Sequence, residues 1–194
     1  MAEFPARFES EVIAELRGVV NGDGESPLWS ALGSHFFQME FPKAETLTSK
    51  SKKFIADLMP RHPVYIPLLP ISAQEVIGQV HSRTRPARAM LTSEGFRYRG
   101  YVDIFDGGPT LHSTVNNIRV IRENVLGRVH DITPEIADEN PVIISNCQSQ
   151  FRACTTVGVV DGNKITIDEE TAAGLQLKIG DSARVVNLKP NNSK

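Results

Sequence analysis

Histidine is the side chain best suited to transfer protons near neutral pH. This sequence contains five histidines: His35, His62, His81, His112 and His130. His81 directly follows the predicted helix "AQEVIGQV" and precedes a second predicted helix by about one turn, so it can face a cleft. A histidine at a helix C-terminus is more often a cap or a partner of the helix dipole than a catalyst. The residues alone therefore leave both roles open for His81.

The two cysteines, Cys147 and Cys154, are the other reactive side chains. They lack the CxxC spacing of zinc and redox sites and are too few for a disulfide framework. Two buried or half-buried thiols in a reducing compartment are the favoured interpretation over a catalytic thiol. We therefore expect a cytoplasmic protein with no metal site.

The charge balance and the apolar runs exclude several classes of partner. The 194 residues include 21 Lys and Arg against 23 Asp and Glu, a net charge of −2, which argues against nucleic-acid binding. Apolar runs such as "HPVYIPLLPI" are short and broken by proline, so no membrane span is expected. The N-terminus has no long apolar stretch of the kind found in a secretory signal.

A helix followed by glycine, phenylalanine and a strand is predicted at "SPLWSALGSHFFQMEF". Ser26 is a good N-cap and Pro27 occupies the first helical position, where its missing N–H costs nothing. Gly33 is expected to end this helix in a left-handed conformation. The segment "FFQMEF" is expected to be a strand.

The same order of elements is predicted a second time, from Thr84 to the turn "DGGPT". Thr84 caps the helix, Pro86 enters its first turn and Gly95 ends it. The strand "FRYRGYVDIF" follows. The side chains expected to face inward are those of Ala87, Met90 and Leu91.

The C-terminal part is predicted to be rich in β-strands. Asp161-Gly162 between apolar runs is a strong hairpin signal, Asp168 is placed to cap a short helix, and "KIGDSARVVNL" is expected to close with an edge-like strand. We predict a boundary between 1–112 and 140–194, with 113–139 as a connector. A short helix in "KKFIADLMP" and a disordered tail "KPNNSK" are also predicted.

The twice-predicted helix–Gly–Phe–strand unit resembles the piece of the acyl-CoA N-acyltransferase fold that forms the far wall of its acyl-CoA cleft. This resemblance implies an α+β protein: a partial acyl-CoA N-acyltransferase (GNAT)-like domain followed by a small β-barrel-like C-terminal module. Further segments closely resemble the bacterial arginine N-succinyltransferase family, throughout the chain as far as "IRENV" and more loosely beyond it. They are "VIAELRG", "SPLWSALGSHFFQMEF", "KKFIADLMPRHPVY", "VIGQVHSRTRPARAMLTSEGFRYRGYVDIFDGGPTL" and "IRVIRENV".

The resemblance implies transfer of a succinyl group from succinyl-CoA to the α-amine of L-arginine, the first step of the succinyltransferase route of arginine catabolism. Some relatives accept ornithine, and the sequence does not choose between the two. Succinyl-CoA is a co-substrate, and no other cofactor is expected. The family's proton-donating histidine ends the motif "IGQVH", which falls on His81. Ser82 stands where the family often has proline. Many N-acyltransferases use a tyrosine at the positions of Trp29 and Leu91, which favours a histidine acid here.

The resemblance also implies a longer protein, whose front part carries the glycine loop that binds the pyrophosphate of succinyl-CoA. Backbone amides at a helix start suit such an anion. The stretches "NGDGES" and "FDGGPT" lack a following helix and are predicted to be turns. The alternative hypothesis is therefore a non-catalytic C-terminal half or subunit that needs a partner supplying the loop. An oligomer is expected because the family tends to assemble.

Arginine as a substrate requires carboxylates for its guanidinium group. Glu15, Asp103 and Asp106 lie on or beside predicted strands, and Arg97 and Arg99 are candidates to bind the succinyl carboxylate or a phosphate. Solvated charges at strand edges are the favoured interpretation for the three carboxylates, whereas for the two arginines the solvent face of an alternating strand is an equal alternative. His81 is the one residue that we predict to be catalytic.

Overall fold

The computed structural model describes residues 5–48, 53, 62–137 and 140–190. The chain forms two compact units. The N-terminal unit is Glu11–Thr114, and the C-terminal unit joins the described residues of Met1–Ser10 and Val115–Lys194. Both units contain helices and a sheet, so the predicted α+β class is confirmed.

The N-terminal unit contains an antiparallel sheet with the strand order β1-β3-β2. Its strands are β1 (Glu11–Glu15), β2 (Arg97–Val102) and β3 (Pro109–Thr114). The helices in its described part are α1 (Ser34–Phe37), α2 (Phe41–Thr48), α3 (Ile71–Val76) and α4 (Arg85–Ser93). A π-helical segment (Trp29–Gly33) leads directly into α1.

The first helix starts as predicted but does not end at Gly33. The Ser26 hydroxyl accepts a hydrogen bond from the Trp29 N–H at 3.2 Å. The helix then continues to Phe37, and Gln38 takes the left-handed conformation with φ 49°. The predicted strand "FFQMEF" is therefore wrong.

Packing around Trp29 explains the longer helix. Phe37 stacks on the Trp29 indole with ring centroids 5.1 Å apart, and Phe41 meets it edge-on at 6.4 Å. A Cβ atom on Gly33 would lie 2.2 Å from Trp29 Cε3, so this glycine makes room for the indole ring. Residues about two turns apart lie on one helix face, so the stacking of Phe37 on Trp29 favours a helix that continues through Gly33. The helix–Gly–Phe–strand unit thus occurs once in the described chain.

The second helix–Gly–strand unit is confirmed. Pro86 lies in the first turn of α4, and the Phe96 N–H donates to the Leu91 carbonyl at 3.0 Å where the helix ends. Two details differ from the prediction. Thr84 makes no side-chain capping hydrogen bond, and Met90 is 66% exposed where an inward-facing side chain was predicted.

The C-terminal unit contains an open sheet with the strand order β6-β5-β9-β4-β8-β7. Neighbouring strands are antiparallel except for β4 and β8. Its strands are β4 (Val125–Thr133), β5 (Pro141–Asn146), β6 (Ala153–Val157), β7 (Val159–Asp161), β8 (Lys164–Asp168) and β9 (Ser182–Asn187). The helices of its described part are α5 (Arg119–Arg122) and α6 (Glu169–Leu175).

The core of the C-terminal unit follows the alternation of its strands. Ile144, Ile165, Ile167 and Val185 are buried on one face of the sheet, together with Leu175 of α6. Successive strand residues point to opposite faces of a sheet, which explains why every second residue of these strands is buried. The core thus forms by packing a short helix on one face of the sheet.

Two local predictions in this unit are confirmed. Asp161 pairs with Lys164 across the turn at Gly162, forming the predicted β7–β8 hairpin. Asp168 caps α6 by accepting a hydrogen bond from the Thr171 N–H at 2.7 Å. Each of these signals depends on residues close together in the chain.

Two predictions about the sheet as a whole are wrong. β9 lies between β5 and β4, so it is an internal strand and not an edge. The predicted β-barrel-like module is an open sheet, because its edge strands β6 and β7 do not pair with each other within the described residues. Gly158 alone separates these two strands, and a hairpin turn needs at least about two residues.

The predicted division into 1–112, 113–139 and 140–194 stays a prediction. In the structure, the change of unit falls between Thr114 and Val115, and the stretch predicted as a connector contributes α5 and β4. The predicted helix in 52–60, apart from Lys53, and the tail after Pro190 lie outside the described residues. Within the described part, no helix has the length and hydropathy needed to cross a membrane.

Candidate functional site around His81

The backbone of His81 is fixed by a neighbouring segment of the N-terminal unit. The helix α3 ends at Val76, one turn earlier than predicted, and His81 lies in the connection between α3 and α4. The His81 N–H donates to the carbonyl of Arg17 at 2.9 Å. His81 is thus tied to the segment that follows β1, and not to the end of a helix.

The imidazole of His81 is oriented by the turn that follows it. Its Nδ1 accepts a hydrogen bond from the Arg83 N–H at 3.2 Å, which makes His81 the N-cap of the 3-10 turn Ser82–Thr84. A neutral imidazole that accepts at Nδ1 carries its proton on Nε2. When neutral, the half-buried His81 therefore carries its proton on Nε2. Ser82 in place of proline is compatible with a defined ring orientation.

Asp106 holds the segments around His81 together. Its two carboxylate oxygens accept hydrogen bonds from the Gly18 N–H at 2.8 Å and the Gly108 N–H at 2.9 Å. A Cβ atom on Gly18 would lie 2.2 Å from the Asp106 carbonyl oxygen. Asp106 is buried, so the interpretation of this residue as a solvated strand-edge charge is wrong. Its carboxylate is used inside the fold.

Tyr98 lies against the segment that leads to His81. Gly78 has φ +75°, a conformation that L-residues with a side chain rarely adopt, and its N–H donates to the Gly107 carbonyl at 2.8 Å. A Cβ atom on Gly78 would lie 2.8 Å from the Tyr98 hydroxyl oxygen. The alternation of β2 placed Tyr98 beside two arginines, but no feature of the sequence linked it to Gly78. This contact was missed.

The carboxylate of Asp103 lies in the same region. Burial raises the pKa of Asp103, and the negative charges of Asp106 and Glu15 act in the same direction. The Phe105 N–H donates to Asp103 at 2.7 Å and partly opposes this effect on the pKa. Glu15 is exposed. The structure thus brings the three carboxylates that were considered as guanidinium ligands into electrostatic contact, and Asp106 is already engaged in hydrogen bonds to Gly18 and Gly108.

The remaining candidates have other environments. Arg99 forms an exposed ion pair with Glu11 at 3.5 Å, and Arg97 is exposed. Trp29 is buried, and its indole N–H donates to the Met39 carbonyl at 3.0 Å. Leu91 is half-buried on α4. The Trp29 indole N–H is therefore committed within the fold.

The other histidines are less well placed for proton transfer. His35, His62 and His130 are exposed. His112 lies on β3 with its ring centroid 5.0 Å from that of Tyr101, and its Nε2 is buried without a hydrogen-bond partner among the described residues. His81 has the better defined combination of an anchored backbone and an oriented ring.

Both glycine-rich stretches use their amides internally. In "NGDGES", the Asn21 side chain accepts hydrogen bonds from the N–H groups of Asp23 at 3.0 Å and Glu25 at 2.8 Å. In "FDGGPT", the Gly107 N–H donates to the Asp103 carbonyl at 2.9 Å, and Gly108 donates to Asp106. The predicted turns are confirmed, and neither stretch presents these amides to a phosphate.

The cysteines are free, and each is half-buried, as predicted. Burial raises the pKa of the Cys154 thiol, and the charge of Asp168 adds to this effect. A raised thiol pKa disfavours the nucleophilic thiolate. In the part of the chain that the structure covers, no group of three or more His, Cys, Asp or Glu side chains is placed to bind a metal ion.

Comparison with known proteins identifies the family. The family model described as arginine N-succinyltransferase beta subunit matches residues 1–120, and the model of its C-terminal domain matches residues 125–187. An arginine N-succinyltransferase of Photorhabdus laumondii subsp. laumondii is 43% identical over 100% of this chain and 57% of its own length. One of Enterobacter sp. (strain 638) is 44% identical over 98% of this chain and 56% of its own length.

A solved structure supports the same relationship. Arginine/ornithine succinyltransferase subunit AI from Pseudomonas aeruginosa is 36% identical, with a TM-score of 0.86 over 98% of this chain and 55% of that chain. The chain thus spans a little over half the length of these relatives. The two family models together match nearly all of this chain. On this evidence, the chain belongs to the arginine N-succinyltransferase family.

Proposed function

We propose that this chain is part of an arginine N-succinyltransferase, which transfers the succinyl group of succinyl-CoA to the α-amine of L-arginine. The observation that carries the proposal is 43% identity to an arginine N-succinyltransferase over the whole of this chain. We further propose that the N-terminal unit is a partial acyl-CoA N-acyltransferase-like domain. The unit formed by α4, Gly95 and β2 supports this assignment.

His81 is the proposed catalytic residue. When the amine nitrogen attacks the thioester carbonyl, a C–N bond forms and the C–S bond breaks. The nitrogen loses a proton and the departing sulfur gains one. The Nε2–H of His81 is the oriented donor available to stabilise the developing thiolate, since Nδ1 is engaged with the Arg83 N–H. Asp103 and Glu15 are candidates to bind the guanidinium group, since Asp106 is engaged elsewhere.

The alternative is a non-catalytic half that completes a partner chain. It is favoured by the internal use of backbone amides in both candidate phosphate stretches. Under this alternative, the amides that bind the pyrophosphate of succinyl-CoA come from a second polypeptide. Assembly into an oligomer and a cytoplasmic location are part of the proposal in either form.

The test is the formation of N-succinylarginine, measured by chromatography with succinyl-CoA and either L-arginine or L-ornithine. The chain is assayed alone and mixed with the segment of the Photorhabdus relative that it does not match. Product that His81→Ala abolishes supports the catalytic proposal. Product that forms only in the mixture and is unaffected by His81→Ala supports the alternative. Absence of succinylated product from both preparations contradicts a succinyltransferase function.

A further inference from the structure

An apolar segment, residues 63–71, leads into α3 in the N-terminal unit. Its exposed large apolar side chains are Val64, Tyr65, Ile66, Leu68 and Ile71. Leu68 is 81% exposed, and Tyr65 and Ile71 are each 72% exposed. Single exposed apolar side chains are ordinary on a protein surface, but a contiguous group of them marks an interaction site.

The sequence of this region lacks charged side chains. Residues 63–74 contain no Asp, Glu, Lys or Arg, whereas 23% of the whole chain is charged. The cores of protein interfaces are depleted of charged residues in the same way. The apolar segment therefore has the composition of an interface core, and not that of a solvated loop.

The backbone of the apolar segment is held in one shape. Three of its nine residues are prolines, which restrict φ. The Leu68 N–H donates to the Tyr65 carbonyl at 3.0 Å within a 3-10 turn, and the Gln74 side-chain amide of α3 donates to the Leu69 carbonyl at 2.8 Å. A partner thus meets an ordered backbone, which lowers the entropic cost of association.

The size of the apolar segment fits a contact between two copies of this chain. Its five exposed side chains offer roughly 400 Å² of apolar surface, since full burial of an aliphatic side chain removes about 60–120 Å² from water and that of an aromatic one about 150–250 Å². In a two-fold contact the same surface is buried on both copies, so roughly 800 Å² is buried before the prolines and the backbone are included. The total lies near the lower end of specific interfaces, about 1,000 Å².

The lack of charge also makes the apolar segment compatible with its own copy. When a surface packs against an identical surface, charged residues on it can bring like charges together, which is costly. Residues 63–74 carry no Asp, Glu, Lys or Arg that could repel in this way.

We propose that the apolar segment is the contact between two copies of this chain in a weakly associating, two-fold symmetric dimer. The proposal gives a surface to the oligomer that is part of the proposed function, and it rests on that part alone. Its test measures association in the absence of substrates, so its failure is distinguishable from a failure of succinyl transfer.

The test is sedimentation velocity of the full chain at concentrations from about 1 to about 300 µM, where we expect a monomer–dimer equilibrium with a Kd in the micromolar range. Because the contact is apolar, raising NaCl from about 0.05 to about 0.5 M should change this Kd by less than about twofold. A monomer at every concentration overturns the proposal and leaves the apolar segment to a different polypeptide. A dimer that weakens about tenfold or more in the higher salt also overturns it, since this result indicates a charged interface.

The same substitution at two exposed isoleucines places the contact. Ile71→Glu adds a charge to the apolar segment and is expected to weaken dimerisation at least about tenfold, because the carboxylate would lose water in the contact. Ile179→Glu is the matched control, at a residue of the C-terminal unit that is 66% exposed, and should leave the Kd unchanged.

Leu68→Glu tests a second position of the apolar segment and is expected to weaken dimerisation to a similar extent. Far-UV circular dichroism and Trp29 fluorescence check that each variant is folded. A dimer that survives both Ile71→Glu and Leu68→Glu, or that Ile179→Glu weakens equally, overturns the assignment of the contact to the apolar segment.

Discussion

The two units of this chain stabilise their polar groups in different ways. In the C-terminal unit, Asp168 accepts its bonds from Thr171, in the helix that begins next to it, and from Thr156 on the edge strand β6. Regular strands and a helix provide these partners. In the N-terminal unit, Asp106 bonds with Gly18, which lies 88 residues away in the chain. In this unit, Asp106 and His81 lie in connecting segments and not in helices or strands.

This difference matters for His81. Its backbone depends on a carbonyl of Arg17, and the adjoining segments depend on close approaches at Gly18 and Gly78. Interiors are closely packed and accommodate added atoms poorly. Adding a single side-chain carbon at a closely packed glycine near His81 should therefore disturb the candidate site. The same addition at a glycine in an exposed turn should not.

The largest expected effect tests whether the N-terminal unit contains a catalytic residue. His81→Ala should lower the rate of N-succinylarginine formation by about 10²–10⁴, the range for general acid–base catalysis. His130→Ala, in an exposed position of the C-terminal unit, is the control and should leave the rate unchanged. Equal turnover of the His81 variant and the unmodified protein would remove His81 from the mechanism.

A second prediction tests the connecting segments. Gly18→Ala places a Cβ atom 2.2 Å from the Asp106 carbonyl oxygen and should lower the free energy of unfolding by about 1–3 kcal/mol. Trp29, the single tryptophan, lies in the N-terminal unit, so its fluorescence during urea unfolding reports on that unit.

The control for Gly18→Ala is Gly22→Ala. A Cβ atom at Gly22 meets nothing within 4 Å, and we expect a change within about 0.5 kcal/mol. Similar losses at both glycines would show that the close approach at Gly18 has no special importance.

A third prediction concerns Asp168 in the C-terminal unit. Burial opposes ionisation, but hydrogen bonds from Thr171 and Thr156 outweigh it and lower the pKa of Asp168. A lowered pKa adds stability above the unfolded value, and this stability is lost as pH falls through the folded value. Asp168→Asn should therefore cost about 0.3–1 kcal/mol at neutral pH, the size of a charge–helix-dipole interaction.

The measurement for Asp168→Asn is urea unfolding followed by far-UV circular dichroism between neutral pH and pH 3. The difference from the unmodified protein should shrink as pH falls below 3.8, the ordinary pKa of an aspartate. A difference that grows in acid would contradict the assigned role of Asp168.

The smallest expected effect comes from Asp103, whose contribution to stability changes with pH in the direction opposite to that of Asp168. Because its pKa is raised in the folded state, the neutral carboxyl group of Asp103 is preferred there, so its contribution to stability is full below the unfolded pKa and is lost as pH rises through the folded pKa. Asp103→Asn should therefore become more stable relative to the unmodified protein as pH rises from 3 to 7, by roughly a few tenths of a kcal/mol because solvent screens the charges.

Urea unfolding followed by Trp29 fluorescence measures the effect of Asp103→Asn. Glu11→Gln, which removes a carboxylate from an exposed ion pair on the same sheet, is the control. If the stability difference for Asp103→Asn falls as pH rises, the electrostatic account of these carboxylates is wrong.

Several predictions that depended on neighbouring residues were confirmed. The β7–β8 hairpin, the Asp168 cap and the end of α4 before β2 each follow from signals a few residues apart. Gly33 shows the limit of such signals. A glycine after an apolar helix face predicts an end, but here the Trp29 ring packs on it and the helix continues.

Long-range partners account for the errors. The strand β9 looked like an edge because the sequence does not reveal that both β5 and β4 pair with it. Asp106 looked solvated because its partner Gly18 lies far away in the chain.

The sequence by itself determined the family, the α+β class and the choice of His81 as the candidate proton donor. Helix caps, turns and motifs depend on residues that are close together in the chain, so the sequence is enough to predict them. The tertiary structure alone decided that Asp106 is structural, that Trp29 is buried with its indole N–H engaged, and that the sheet of the C-terminal unit is open. These properties depend on atoms brought together by folding from distant parts of the chain, and local sequence patterns carry no record of those contacts.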